Sequence, residues 1–587
     1  MSVSRLPKIY VRDVVLVGAL IAIVSTAWLA HTAITARDEI SAMRPVLAEL
    51  INDENVTPGE IANTLSQARA HAAAAEDLVH DPLWWLISKV PFAGNTPRAI
   101  MTSTEVASNV LDATTKLETQ LRALPKNSKS LLDPALINAL ADGATELSPL
   151  VADAKIQLKQ LDLTGVPGLV ADPVVQVQSQ INIAEPFLVE AKAFARVAPA
   201  LLGLRQPTKW LVIFGNGAEA RPAGGFPGGW GVITADQGKL TLSNLESNDR
   251  LSRTSLSNWL KIAGDEAASL YNNDLSRVLD MGLSPDFELT GNLFWNLYSQ
   301  NTNVDTKGVL IMDEHALRHL MHVTGPVQVD GAPLDSEQVV DYVTRGVYKA
   351  HTDVAKKDAV LLGLARDIFA KLQTGEIGLV GLAKALIPAM HEGRIHAWAQ
   401  SPALMNALRS TPLAGGLREA GLYTHAVAIA NGGGNKLEAY LQANVQYIGG
   451  QCNVALPYRD STIRIELNHS APAKGLPFYV TPRTDLGIAR PIPQGGTKEL
   501  IYVHAPLGSE LTTAMYNDDA IDPIAYGTEN NRAVWRFDVE VTAMSQNVLV
   551  VSLQEPAIEK KPHALMWTQP MTLPMKTSAV PGPICSI

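Results

Sequence analysis

From Val14 to Ala36 the chain reads VVLVGALIAIVSTAWLAHTAITA, uncharged apart from His31 and bounded by Asp13 and Arg37. No other stretch constrains the fold so tightly, because as a helix it is long enough to cross a hydrocarbon core of roughly 30 Å. Arg5, Lys8 and Arg12 precede it. The positive-inside tendency then predicts a cytoplasmic tail at 1–13, a single transmembrane helix at 14–36 and an extracytoplasmic body after Arg37. Two other readings compete. A cleaved signal peptide would have a shorter apolar run, of about 7–15 residues, and a small-x-small site. A buried core helix is the third reading.

The rest of the chain is long enough for two or three domains, with 587 residues in all, 47% hydrophobic and 18% charged. A net charge of -10 and the lack of a basic stripe interleaved with aromatics argue against nucleic acid as a partner. Cys452 and Cys585 are too few for a zinc site of paired thiolates. One bridge in an oxidising space and two free thiols both fit them.

Residues 37–205 are rich in Ala, Leu, Glu, Gln and Lys, with apolar positions three and four apart, as at Leu65, Ala68 and Ala72. This predicts a helical region. Prolines at 82, 91, 97, 125, 134, 149, 167, 173 and 186 and Gly94 should divide it into several short helices. Trp84 and Trp85, in DPLWWLISKVPFAG, suit a helical core better than a membrane interface. From Pro207 the texture changes. LVIFG, WGVIT and KLTLSNL read as strands, the last two joined by a turn at Asp236, Gln237 and Gly238. Helical and extended patterns then alternate, which predicts a central α/β domain over 206–435. Short alternating strands such as STIRIELN and RAVWRFDVEV predict a C-terminal immunoglobulin-like β-sandwich over 436–587. The fold class expected is therefore multidomain α+β.

Several motifs carry a chemical reading beside a plainer structural one. GGFPGGWG and NGGGNK (Asn431–Lys436) could bring backbone amides to a phosphate, but such glycines more often serve tight turns with positive φ. His315, His319 and His322 share one helical face at zinc-ligand spacing; an ordinary amphipathic helix shows the same pattern. Signatures of P-loops, dinucleotide folds and serine hydrolases are absent from the sequence.

The run WLVIFGNGAEARPAGGF (Trp210–Phe226), followed by SPDFELTG, KGVLIMDEHAL, VTGPVQVDG, KKDAVLLGLARDIF and AIANGGGNKLEAYL, resembles the bacterial membrane proteins of the domain of unknown function 4012 family. The blocks recur in order over roughly residues 80–555. The resemblance implies a role in the bacterial cell envelope or in exopolysaccharide handling and supplies no reaction.

The order of strands, arginine loops and late arginine-bearing helix is also similar to the LytR-CpsA-Psr phosphotransferases, which move glycopolymers from polyprenyl pyrophosphate carriers. That similarity places Arg221, Arg250 and Arg345 as the reactive arginines, with Asp353 and Lys356 on the family's Asp-x-x-Arg. Guanidinium groups suit pyrophosphate because they bind oxygens in bidentate fashion. Where those enzymes carry two magnesium-binding aspartates this chain has Asn216 and Gly224-Gly225, leaving Glu219 or Asp249 as displaced substitutes and Mg2+ as an open question. The expected function is binding or transfer of a lipid-linked glycopolymer; the alternative is a non-catalytic structural or assembly partner of the envelope machinery. Expected partners are the membrane, the lipid-linked glycan or wall polymer, and envelope synthesis proteins.

Overall fold

Side-chain caps and prolines set where the N-terminal helices begin. Thr57 and Glu60 close a reciprocal capping box on α1 (Pro58–Val79). Asp81 caps α2 (Pro82–Ser88) and Asp133 caps α5 (Pro134–Lys159), each with proline in the first turn, where its missing N–H costs nothing. Between them run α3 (Asn95–Asp112) and α4 (Thr115–Ala123), and α6 spans Gly168–Leu201. Not every proline breaks a helix. Pro149 lies inside α5, and Pro173 and Pro186 lie within the bounds of α6, so these expected interruptions do not occur.

The computed structural model describes residues 28–43, 45, 56–90, 94–124, 133–373, 379–418, 424–453, 457–486, 494–557 and 565–585. The chain divides into two units, one of residues 1–195 with 378–380 and one of the remainder.

In the first unit residues 28–43 are helical, and their inner stripe is used in packing. Ala36, Ile40 and Met43 are buried with Ala72, Val79, Trp84 and Ile100. Trp84 donates from Nε1 to the hydroxyl of Thr32 at 3.2 Å, while its neighbour Trp85 is 58% exposed. The expected membrane anchor is corrected here. Residues 1–27, with the tail and most of the anchor, lie outside the described residues, and among those described no helix is long and apolar enough to cross a membrane. The helix at 28–43 carries Arg37, Asp38 and Glu39, and Glu39 meets His71 Nδ1 at 2.6 Å. The single-pass anchor and the localisation derived from it are not supported.

The second unit is built on a mixed five-stranded sheet in the order β3-β2-β1-β4-β7. Its strands are β1 (Thr208–Asn216), β2 (Phe226–Asp236), β3 (Lys239–Ser247), β4 (Gly308–Met312) and β7 (Ile395–Ala399). Only the β1–β4 pair is parallel. β2 and β3 meet at the expected turn, with Asp236 opposite Lys239 and positive φ at both Gln237 and Gly238, the two-residue loop that matches strand twist. Helix α7 (Phe287–Asn301), capped by Asp286, packs on β4 and β7; α8 (Glu314–Thr324) is capped by Asp313. A small hairpin, β5 (Val327–Val329) and β6 (Ala332–Leu334), and α9 (Val354–Leu372) follow.

The C-terminal part is a sandwich, in keeping with its alternating pattern. One sheet has six strands, the other five. Its core joins Val427, Ile429, Tyr447, Ile463, Ile501, Phe537 and Val551. The five-stranded sheet takes its strand β8 from His425–Asn431, upstream of residue 436. Cys452 and Cys585 are bridged, with Cα atoms 5.6 Å apart, which resolves the two readings of the thiols.

Candidate functional site

At the β3 side of the central sheet β2 and β3 are out of step. Trp230 pairs with Glu246 and Val232 with Ser243, so Asn244 and Leu245 together oppose Gly231. This is a β-bulge, and Asn244 takes the left-handed conformation that asparagine tolerates, with φ 50. The bulge is on the wall of a cleft of about 530 Å³. The other walls come from the short helix Asp249–Ser252 and from the C-terminal end of α7 with the residues after it, Tyr298–Val304. The lining is mainly amide, hydroxyl and charged, contributed by Asn244, Glu246, Arg250, Gln300, Asn301 and Asn303, with Trp230 and Tyr298 reaching it from the core. Trp230, Tyr298 and Leu251 also border a much smaller apolar void lined by Leu211 and Phe294. Desolvation raises the Tyr298 phenol above its ordinary pKa.

Arg250, one of the arginines singled out from sequence, stands in this cleft. It donates to both oxygens of Glu246 at 3.3 and 3.4 Å and to the Asn301 carbonyl at 3.2 Å. The pair is more than a third exposed on both sides, so its contribution to stability is about 0–1 kcal/mol. A ligand could exchange partners with it at little cost. Asp249, next to it, is exposed at the start of the short helix.

Arg221 is placed differently. It is buried, and its five N–H donors are all used: to the carbonyls of Leu279, Ala220 and Asn431, to Glu219 at 3.0 Å and to Asp280 at 3.1 Å. Glu219 also accepts from Lys436 Nζ at 2.6 Å, and that ammonium lies 4.4 Å from the centre of the Phe226 ring. Asn216 donates to the Tyr348 hydroxyl at 3.0 Å and accepts from the Ala218 N–H. These residues hold the loop between β1 and β2 against the NGGGNK loop. Gly224 and Gly225 have positive φ, and a Cβ on Gly225 would meet the Asn216 backbone, so these glycines serve close packing.

Arg345 has a third set of partners: it pairs with Asp341 and lies 5.3 Å from the Tyr440 ring centre. Asp353 is the N-cap of α9, accepting from the Lys356 N–H at 2.8 Å, and the Lys356 side chain is exposed. The three arginines thus have separate partners. Lys357, not singled out from sequence, is the lysine turned inward, donating to the Tyr479 hydroxyl at 3.1 Å and pairing with Asp358 at 2.8 Å.

The three histidines of α8 also part company. His315 contacts the Thr572 carbonyl, His319 contacts Glu392, and His322 contacts Ser336. Burial lowers the His315 pKa to about 4. Among the described residues no group of three or more His, Cys, Asp or Glu is disposed to hold a metal ion. Of the displaced acidic substitutes, Glu219 is buried with Arg221 and Lys436 as partners, whereas Asp249 is exposed on the short helix beside Arg250.

Residues 205–348 match the family model described as Protein of unknown function (DUF4012). The chain carries a DUF4012 segment. No curated protein and no solved structure matches the chain. The DUF4012 segment contains the whole cleft and all three arginines, while Asp353, Lys356 and the NGGGNK loop lie beyond it. The sequence pattern offered no sign of the amide-rich helix end Ser299–Asn303, because Asn and Gln also populate ordinary helix ends.

Proposed function

We propose that the protein binds the sugar portion of a carrier-linked glycopolymer in the Trp230–Asn301 cleft and does not transfer it. The observation that carries this reading is the composition of that cleft. Asn and Gln side chains donate and accept at once, as sugar hydroxyls do, and six residues with an amide or aliphatic hydroxyl (Asn244, Ser299, Gln300, Asn301, Thr302, Asn303) are grouped there. Arg250 and Glu246 add one balanced pair able to meet a hydroxyl or one anionic substituent. Transfer from a pyrophosphate carrier would call for several cations free to meet the diphosphate. Arg221 has no donor left to offer, and Arg345, paired with Asp341, is not among the residues that line the cleft.

The test is titration of the full chain with neutral and phosphate-bearing oligosaccharides, comparing wild type with Arg250→Ala and Asn303→Ala. Both variants should weaken binding about tenfold, the loss of one hydrogen bond to a charged or polar group, with unchanged melting temperature. Absence of saccharide binding at millimolar concentration, or equal affinity in all three proteins, refutes the reading.

A further inference from the structure

The Glu499 side chain lies at the end of the sandwich core, on the face of β11 (Thr497–Pro506) that also carries Thr497, Ile501 and Val503. It is fully buried, and neither carboxylate oxygen has a hydrogen-bond partner. A second buried carboxyl faces it. Glu438 Oε1 accepts from Asn431 Nδ2, and Thr497 Oγ1 is 3.4 Å from the same oxygen. Asn431 is the cross-strand partner of Glu499, and Thr497 is its neighbour two residues back, so both anchors of Glu438 adjoin Glu499.

The cations nearby are already committed. Lys436 and Arg221 both serve Glu219, and Arg221 also serves Asp280. Arg483 is held by Asp485 and Glu540, and Lys498 by Asp538. The remaining titratable group facing the pair is Tyr516, whose hydroxyl donates to the Glu540 carbonyl. Two ionised carboxylates in so dry a place would repel each other, and the cations within electrostatic reach, Arg483 of Glu499 and Arg221 of Glu438, are each shared with other carboxylates, so the pair lowers its cost by retaining a proton.

We propose that Glu438 and Glu499 share one proton and form a pH-sensitive latch that holds the Asn431–Lys436 loop and the loop after β1 onto the end of the sandwich. The latch reaches the central sheet by two bonds. Glu438 Oε2 accepts from the Ala220 N–H at 3.3 Å, and the Asn431 carbonyl accepts from Arg221 at 3.0 Å. Burial raises the carboxyl of Glu438 to about 7 and that of Glu499 well above its usual range. Both folded pKa values exceed the unfolded ones, so the stabilisation is complete at acidic pH and is lost as pH rises through neutrality.

The experiment is amide hydrogen exchange on the full chain, corrected for intrinsic rates, at about pH 6 and about pH 8, bracketing the transition. Segments 217–225 and 429–441 should lose protection about tenfold or more at the higher pH, and Glu499→Gln should abolish that difference. An infrared band from a protonated carboxyl, read in a Glu314→Gln background because Glu314 is itself raised to about 7, should be present at the lower pH and lost at the higher. Equal protection at both pH values in wild type overturns the proposal, as does a pH effect that survives in Glu499→Gln. Recovery of protection by Ca2+ at the higher pH, reversed by a chelator, also overturns it, because the pair would then be a cation site.

Discussion

Arg221→Ala separates a structural arginine from a ligand-binding one. The substitution strips three carbonyls and two carboxylates of donors in a site where Arg221 is 4% exposed. Glu219 keeps Lys436 and Asp280 keeps Arg277, so neither carboxylate is wholly abandoned, but the carbonyls of Leu279, Ala220 and Asn431 lose a bond each. Breaking a buried charge network of this kind costs about 3–5 kcal/mol. The unit concerned has roughly 390 residues, and at about 2.1 cal/mol/K per residue its unfolding entropy converts that cost into a fall of about 4–6 °C in melting temperature. Arg221→Lys keeps the charge with only three donors in a different geometry and should fall in between. Calorimetry on both variants, with saccharide titration at a temperature where both are folded, is the assay. A melting temperature within about 1 °C of wild type together with lost binding would refute the structural assignment and return Arg221 to the ligand.

Two further outcomes concern other parts of the second unit. Reduction of the Cys452–Cys585 bridge, which closes a sequence separation of 133 residues, should remove up to about 5 kcal/mol by chain entropy. Urea unfolding with and without reductant, and in Cys585→Ser, measures it; equal midpoints would show that the bridge constrains little. Glu314, buried beside Asp313, has its carboxyl raised to about 7, so its contribution to stability should fall as pH rises from about 4.5 to about 7. Glu314→Gln should flatten that part of the stability–pH curve, and an unchanged slope would contradict the assignment.

How much the sequence disclosed depends on how local each signal is. Period-two alternation in STIRIELN and RAVWRFDVEV marked strands whose faces are fixed by the sandwich core, and Gln237-Gly238 marked a turn through backbone preferences alone. Hydrophobicity alone misled at the N-terminus, because Ala36 and Ile40 would suit lipid or a helical bundle equally, and Trp84 with Ala72 supplies the bundle. The prolines of α6 were overestimated, since a long helix loses one bond at each and keeps its packed face. Pairings across long sequence distances carried no local mark. Arg221 with Asp280, Glu438 with Thr497 and the bulge at Asn244 depend on which loops the topology brings together, and an arginine bound for a buried network looks in sequence like one bound for solvent.

The C-terminal stretch of the chain reaches back a long way. Gln569 bonds both the N–H and the carbonyl of Ile429; the carbonyls of Met571 and Thr572 receive Arg394 and His315, and the Thr572 hydroxyl meets Glu314, which in turn accepts from the Gly217 N–H. The order of synthesis therefore matters. A ribosome releases the strands of the central sheet long before residue 572, so on the nascent chain the end of β1 and the start of α8 wait with buried-type polar groups unmatched. Closing that corner waits until Gln569–Thr572 has left the ribosome, and a chain stalled or cleaved upstream of Gln569 should be held open there and exposed to proteases.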